Sequence, residues 1–343
     1  MKRAATTTGL LCLGCLVAGC GGGRASSERH LVFVRATAPE NAVVWTADAD
    51  GGHARRLTRG LSGVVSPDGR TVAIGRTDGI HLVSSDGRRD RHLTSAVLNP
   101  QAWSPDGKRL VAGVAKLAVV DVDSGHVRLI ARGGLYGFGF SPDGRRLVYA
   151  RAAREPLERI CGARSDLYVA DIGAGSPTRL THDGRSAFPV WGTERIAFMR
   201  MPRRLRVEDC FAPGIWTVRP DGSDLRAIVA HAPRQLSRAG YYGLQPVAWL
   251  KGGDLLVGAR TEWGNEAAVL DTRTRRLRRL LLHSGKAPRR SAQAFYVDEA
   301  SRDGRLALGA GGNEKVTISI IRLSDGRPTF TLRGYVCCPD WNR

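Results

Sequence analysis

The chain has 343 residues, more than the roughly 250–300 that one hydrophobic core organises, so it holds either two domains or a repeat architecture. Its formal net charge is +20, and the basic residues, mostly arginine, run along the whole length rather than in one block. Such a charge favours phospholipid headgroups, cell-wall polymers or acidic proteins; nucleic acid, the usual partner of so basic a chain, is set aside by an export signal at its start.

Met1-Lys2-Arg3 is a short basic stretch, and an apolar run from Ala4 to Gly19 follows. That run is shorter than the about 20 residues a membrane span takes, and it ends in small residues, as a secretory signal does. The exit, Val17-Ala18-Gly19-Cys20, resembles the bacterial lipobox: an aliphatic residue, two small ones, then cysteine. Cys15 lacks this pattern, because Cys12 stands where the aliphatic residue belongs. The resemblance implies that Cys20 is lipidated and becomes the mature N-terminus, with palmitate-type acyl chains sufficient for stable anchoring. Residues 1–19 are then a lipoprotein signal peptide, and residues 20–29, small and polar, a lipidated flexible tether.

From residue 30 onward the sequence repeats. Ser66-Pro67-Asp68-Gly69-Arg70 recurs as Ser104-Pro105-Asp106-Gly107-Lys108 and Ser141-Pro142-Asp143-Gly144-Arg145, each followed by alternating apolar residues. Proline presets φ, aspartate accepts bonds from the turn backbone and glycine supplies a positive φ, so each copy predicts a hairpin turn. Between these turns lies a second hairpin, as at Ser85-Asp86-Gly87, Asp123-Ser124-Gly125 and Pro220-Asp221-Gly222. A closing strand often follows, as in Arg55-Arg56-Leu57-Thr58, Arg91-His92-Leu93-Thr94 and Thr178-Arg179-Leu180-Thr181. Two hairpins per period of about 40–50 residues make a four-stranded propeller blade.

An apolar or aromatic residue before S-P-D-G-[RK], with a later D-x-D-G before R-R-L-T, resembles the TolB-type propeller repeat. The resemblance covers the propeller part only. The first strand is expected at Leu31, leaving no counterpart of the α/β domain that precedes TolB's propeller, so TolB's partner interactions are not carried over. With strands A to D counted from the channel outward, worn A–B turns are expected at 191–194, 250–253 and 301–304, giving six blades from Leu61 to Arg333. The segment from Leu31 to Thr58 supplies only strands B, C and D. Its A strand is expected from Gly334 to Trp341, with Cys338-Pro339-Asp340-Trp341 approaching a turn. The expected fold of residues 30–343 is therefore all-β: a seven-bladed propeller of four-stranded antiparallel blades, closed by the C-terminal strand pairing with the N-terminal blade.

Function is expected on the face that carries the B–C and D–A connections. Long insertions fall there at 152–165, 201–214, 230–240 and 283–291, and loop excess on a rigid frame is where binding concentrates. The candidate binding residues are Arg154, Arg159, Arg203, Arg204, Arg206, Phe211, Arg234, Arg238, Tyr241, Tyr242 and Trp263, since arginine with aromatics is a common contact chemistry. Cys161 and Cys210 lie in two neighbouring insertions and form the favoured disulfide among the three full pairings four cysteines allow. Cys337 and Cys338 are left as a vicinal bond or as thiols. The arginines around Leu277 are read as a charged edge that discourages sheet-to-sheet pairing.

No G-x-S-x-G elbow, H-E-x-x-H or paired C-x-x-C occurs, and the histidines are scattered, so no catalytic residue, cofactor or metal is assigned. The leading function is an extracytoplasmic lipoprotein, monomeric, whose propeller binds a protein or anionic cell-envelope ligand and no nucleic acid. Its place is the outer face of the cytoplasmic membrane, or the periplasmic side of an outer membrane. The alternative is a propeller enzyme, a lyase or hydrolase of carbohydrate or peptide, with its site at the channel mouth.

Overall fold

The computed structural model describes residues 30–36, 39–48, 51–96, 98–113, 116–152, 165–173, 175–201, 214–230, 241–261, 264–279, 295–301, 304–311, 317–325, 328–333 and 336–341. Among these, 28 strands, numbered β1 to β28 in chain order, form seven four-stranded antiparallel sheets. Blade I joins β1 (His30–Arg35), β2 (Val43–Asp48) and β3 (Arg55–Arg59) to β28 (Val336–Trp341). Blade II holds β4 (Ser62–Val65), β5 (Thr71–Arg76), β6 (Gly79–Ser84) and β7 (Asp90–Thr94). Blade III holds β8 (Pro100–Trp103), β9 (Arg109–Ala112), β10 (Lys116–Asp121) and β11 (Val127–Arg132). Blade IV holds β12 (Leu135–Phe140), β13 (Arg146–Ala152), β14 (Ser165–Asp171) and β15 (Thr178–Arg179). Blade V holds β16 (Ser186–Trp191), β17 (Ile196–Arg200), β18 (Gly214–Val218) and β19 (Arg226–Val229). Blade VI holds β20 (Tyr241–Trp249), β21 (Leu255–Thr261), β22 (Gly264–Leu270) and β23 (Leu277–Arg279). Blade VII holds β24 (Phe295–Ala300), β25 (Leu306–Gly311), β26 (Thr317–Arg322) and β27 (Pro328–Arg333).

The S-P-D-G segments form the A–B turns, and each closes by the same bonds. In the third copy the Ser141 hydroxyl donates to Asp143 at 2.5 Å, Asp143 accepts from the Arg145 N–H at 3.0 Å, and Ser141 Oγ accepts from the Arg146 N–H at 2.9 Å. Gly144 completes the turn at a φ of 68°. A side chain that bonds its own backbone two residues on fixes the reversal locally, before any long-range contact forms.

The core lies between blades rather than within one. Val32, Val44, Val65, Ile74 and Val83 join blades I and II, and five further clusters repeat the arrangement around the ring to blade VII. Leu31 and Phe33 of blade I pack with Leu308, Ile318 and Ile320 of blade VII, closing the circle. Each middle strand is covered on both faces, which is why β5 and β10 are nearly unbroken apolar runs. Among the described residues, the length that exceeds one core is accounted for by these shared seams.

The ring is also closed along the backbone. The closing strand β28 pairs antiparallel with β1, with Leu31 opposite Trp341 and Arg35 opposite Val336. The expected turn at Cys338–Trp341 is corrected: those residues are part of the pairing strand itself.

Polar staples cross the seams on the outer side. Arg55 donates to the Ser85 carbonyl at 3.0 Å, Arg91 to that of Val122 at 2.7 Å, Arg128 to that of Ile172 at 2.5 Å and Arg278 to that of Leu323 at 3.0 Å. Each runs from the outer strand of one blade to the C–D connection of the next. Part of the arginine excess is thus seam chemistry, and Arg278 adds a seam bond to a run that lies on the outer edge strand β23. Nearer the channel, the Trp103 and Trp249 indoles donate to the Val64 and Val190 carbonyls of the preceding blades, at 2.9 and 3.2 Å.

Candidate binding face and central channel

The innermost strands border the channel and have a free edge there, where proline costs no ladder bond; Pro100, Pro189 and Pro246 occupy them. Several of these strands are bulged, between Pro100 and Ala102, Leu135 and Phe138, and Ala187 and Val190. Bulges at a rim re-aim side chains. Strands β4, β8, β12, β16 and β20 wall a cavity of about 520 Å³, in which Gln101, Phe138, Phe188 and Gln245 lie on the channel and Trp103 and Trp191 sit toward the S-P-D-G turns.

Phe188 has a φ of 49°, a left-handed conformation that a bulky residue adopts at a cost of about 1–3 kcal/mol. It fits because its neighbour across the seam is Gly137, where a Cβ would stand 3.0 Å from the Phe188 Cα. Among the described residues lining this cavity there is no Asp, Glu, His, Lys, Arg or Cys. Amides and aromatic faces can hold a ligand; they cannot act as a general acid or base.

A charged network lies instead at the roots of two insertions. Asp166, 2% exposed, follows directly on residues 153–164 and accepts from Arg179 at 2.5 Å and from the Thr181 hydroxyl and Gly184 N–H, both at 3.0 Å. Arg200, at the end of β17 just before residues 202–213, pairs with Asp183. Asp183 also takes Arg185 at 2.5 Å, and Arg185 in turn donates to the Met201 carbonyl at 3.1 Å. Burial alone raises the Asp183 pKa, yet the adjoining Arg185 and Arg200 hold it below the ordinary carboxylate value. Two guanidinium nitrogens of Arg200 find no acceptor; the Trp216 ring, 4.7 Å from the guanidinium carbon, faces them instead. The Ser165 hydroxyl donates to the Ser186 carbonyl at 2.7 Å, tying the first root to blade V. Both insertions therefore spring from a pinned base.

Of the residues singled out by sequence, Cys20, Arg154, Arg159, Cys161, Arg203, Arg204, Arg206, Cys210, Phe211, Arg234, Arg238 and Trp263 lie outside the described residues. The segments that carry most of them are bracketed as expected: 153–164 falls between β13 and β14, and 202–213 between β17 and β18. Tyr241 and Tyr242 open strand β20, directly after the 230–240 segment. Sequence reasoning read His92 as one of several scattered histidines and assigned no metal; the blade II fold brings Asp78, His81 and His92 together. The signal was faint: Asp78 occupies a two-residue turn, and only strand register places His81 opposite His92.

No protein-family model matches the chain, and no curated protein matches it. Among solved structures it is similar to TolB from Acinetobacter baumannii, at 16% identity and a TM-score of 0.54, over 92% of this chain and 67% of that one. It is similar to an oligogalacturonate lyase in complex with manganese, at 18% identity and a TM-score of 0.57, over 89% of this chain and 85% of that one. It is also similar to the β-propeller domain of the Trilobed protease from Pyrococcus furiosus, at 14% identity and a TM-score of 0.57, over 87% of this chain and 92% of that one. That domain is described as having an open velcro topology, whereas β28 closes blade I here. These likenesses establish a TolB-like propeller fold and, at such identities, the fold alone.

Proposed function

We propose that the protein is an exported lipoprotein, held to a membrane through Cys20, whose propeller is a binding module for a protein or an anionic cell-envelope ligand. The observation that carries this reading is the contrast between the two candidate sites. The described residues that line the cavity of about 520 Å³ carry no carboxylate, imidazole or thiol, while buried ionic contacts brace the roots of arginine-bearing insertions on one face. A braced base under long loops is the construction of a recognition surface. The anchor in this reading is a lipid at Cys20; among the described residues no helix is long and apolar enough to cross a membrane.

The alternative is a lyase or hydrolase with its site at the channel mouth, a reading that the similarity to a manganese-bound lyase keeps in view. The test is a photoreactive amino acid placed at position 204 or 242 on the insertion face, or at position 251 on the opposite turn face, in intact cells. Adducts from 204 and 242, with none from 251, support the reading. Adducts from 251 alone, or turnover of oligosaccharide or peptide by the purified protein, count against it.

A further inference from the structure

We propose that Asp78, His81 and His92 form a binding site for a divalent transition-metal cation, set on the seam between blades I and II and separate from the channel. Asp78 lies in the two-residue turn joining β5 to β6, His81 near the start of β6, and His92 on β7. A register shift between Ile80 and His81 places His81 directly opposite His92, so both rings project to the same side of the sheet. The rings stand nearly perpendicular, with centroids 5.0 Å apart. One ligand atom from each of the three residues lies within 4.8 Å of the others.

The separations suit a cation. Two ligand atoms each about 2.0–2.2 Å from a metal stand roughly 2.9–3.4 Å apart, between octahedral and tetrahedral angles. His81 Nε2 is 3.1 and 3.2 Å from the two Asp78 oxygens. His92 is exposed, and its Nε2 lies 3.4 Å from the Asp78 carbonyl oxygen. Two imidazoles and one carboxylate leave open positions, a donor set taken by Zn²⁺, Co²⁺ or Ni²⁺ in preference to Ca²⁺ or Mg²⁺.

The surroundings orient the central ligand. His81, with 11% of its side chain exposed, has Nδ1 3.0 Å from Asp90 Oδ1. The same Nδ1 lies 2.9 Å from Arg76 Nη1, so Arg76 and Asp90 together fix the ring with Nε2 turned toward Asp78, as outer partners orient a ligating histidine in many metal sites. Asp90 is held in turn by Arg76 at 2.6 Å, and Arg76 reaches blade I through the Thr58 hydroxyl at 2.9 Å and the Arg59 carbonyl at 3.1 Å. The turn itself is stiff. Gly79 has a φ of 134°, and a Cβ there would stand 2.0 Å from the Thr94 carbonyl oxygen. A cation bound here fastens blade II beside the blade that closes the ring.

The test is calorimetric titration of the chelator-treated, detergent-solubilised full chain with Zn²⁺, beside absorption spectra with Co²⁺. One equivalent should bind at micromolar affinity, and the Co²⁺ complex should show weak visible bands without sulfur-to-cobalt charge transfer, which separates this site from the cysteines. His92→Ala and Asp78→Ala, both at exposed positions, should each weaken binding by tenfold or more, and Asp90→Asn by about tenfold through His81. Zn²⁺ should also raise the melting temperature of the parent chain and not of these variants. No saturable binding at millimolar Zn²⁺ overturns the proposal. So does unchanged affinity in His92→Ala and Asp78→Ala, or a thiolate charge-transfer band.

Discussion

Leu93 of blade II and Gly125 of blade III meet so closely that a Cβ on Gly125 would stand 2.1 Å from the Leu93 carbonyl oxygen. Gly125 has a φ of 71°, so the position is closed to side chains by both space and backbone. The same pair of repeat positions meets as Leu57 with Gly87 and as Leu180 with Gly222, at looser distances. The glycine of one C–D turn is thus the seat for the leucine of the preceding outer strand.

Gly125→Ala should therefore destabilise the fold by about 2–4 kcal/mol, from strain plus overpacking. Leu93→Ala, at a residue 8% exposed, should cost about 2–3 kcal/mol. Arg91→Ala, which loses only an exposed bond to the Val122 carbonyl, should cost about 1 kcal/mol or less. Urea unfolding of the three variants beside the parent chain checks the order; an equal loss in all three would show that the seam contacts are not what sets it.

This seam shows where legibility in the sequence stopped. The D-G turn and the R-R-L-T strand were both readable as local signals, because turn chemistry and alternation act over a few residues. That the leucine of one seats on the glycine of the next depends on how neighbouring blades stack, and so do the carbonyls that Arg55 and Arg91 of the closing strands reach. The count of blades and the closing strand were legible, since repeats are counted without knowing their packing. The Asp78, His81 and His92 cluster was not, because a one-residue register shift decides which side chains oppose each other. The network of Asp166, Asp183 and Arg200 was missed for a like reason: its members come from separate strands and turns of two blades.

Closure by β28 makes the ring's stability depend on its last strand. A chain ending at Arg333 loses the pairing with β1 and leaves that strand's edge open. Its melting temperature should fall on the order of 10 °C, as expected for several kcal/mol in a fold of this size. Differential scanning calorimetry checks this, and an unchanged transition would contradict closure.

Acid should act on the turns. The Ser141 hydroxyl and the Arg145 N–H hold the Asp143 carboxylate below its ordinary value of 3.8. A carboxyl depressed in the folded state contributes stability that is complete above its unfolded pKa and is lost as pH falls through the folded one. Stability should stay level from neutral pH to about 5 and decline below about 4. Asp143→Asn should be less stable at neutral pH and show a shallower decline in acid, read from urea midpoints across pH.

The two insertions that spring from the braced base each carry one cysteine, Cys161 and Cys210. We expect non-reducing peptide mapping of the exported protein to recover these two linked. A link from Cys161 to Cys337 or Cys338 would place the insertions elsewhere on the ring.

The central claim is that the propeller is displayed outside the cytoplasm on a lipid. Its most direct test is mass spectrometry of the N-terminal peptide from the membrane fraction, for the parent chain and for Cys20→Ala. The account predicts a mature chain that begins at Cys20 and bears a diacylglyceryl group, with the Cys20→Ala protein unlipidated. A parent chain that keeps Met1, or one that begins after Cys20 without lipid, would contradict it.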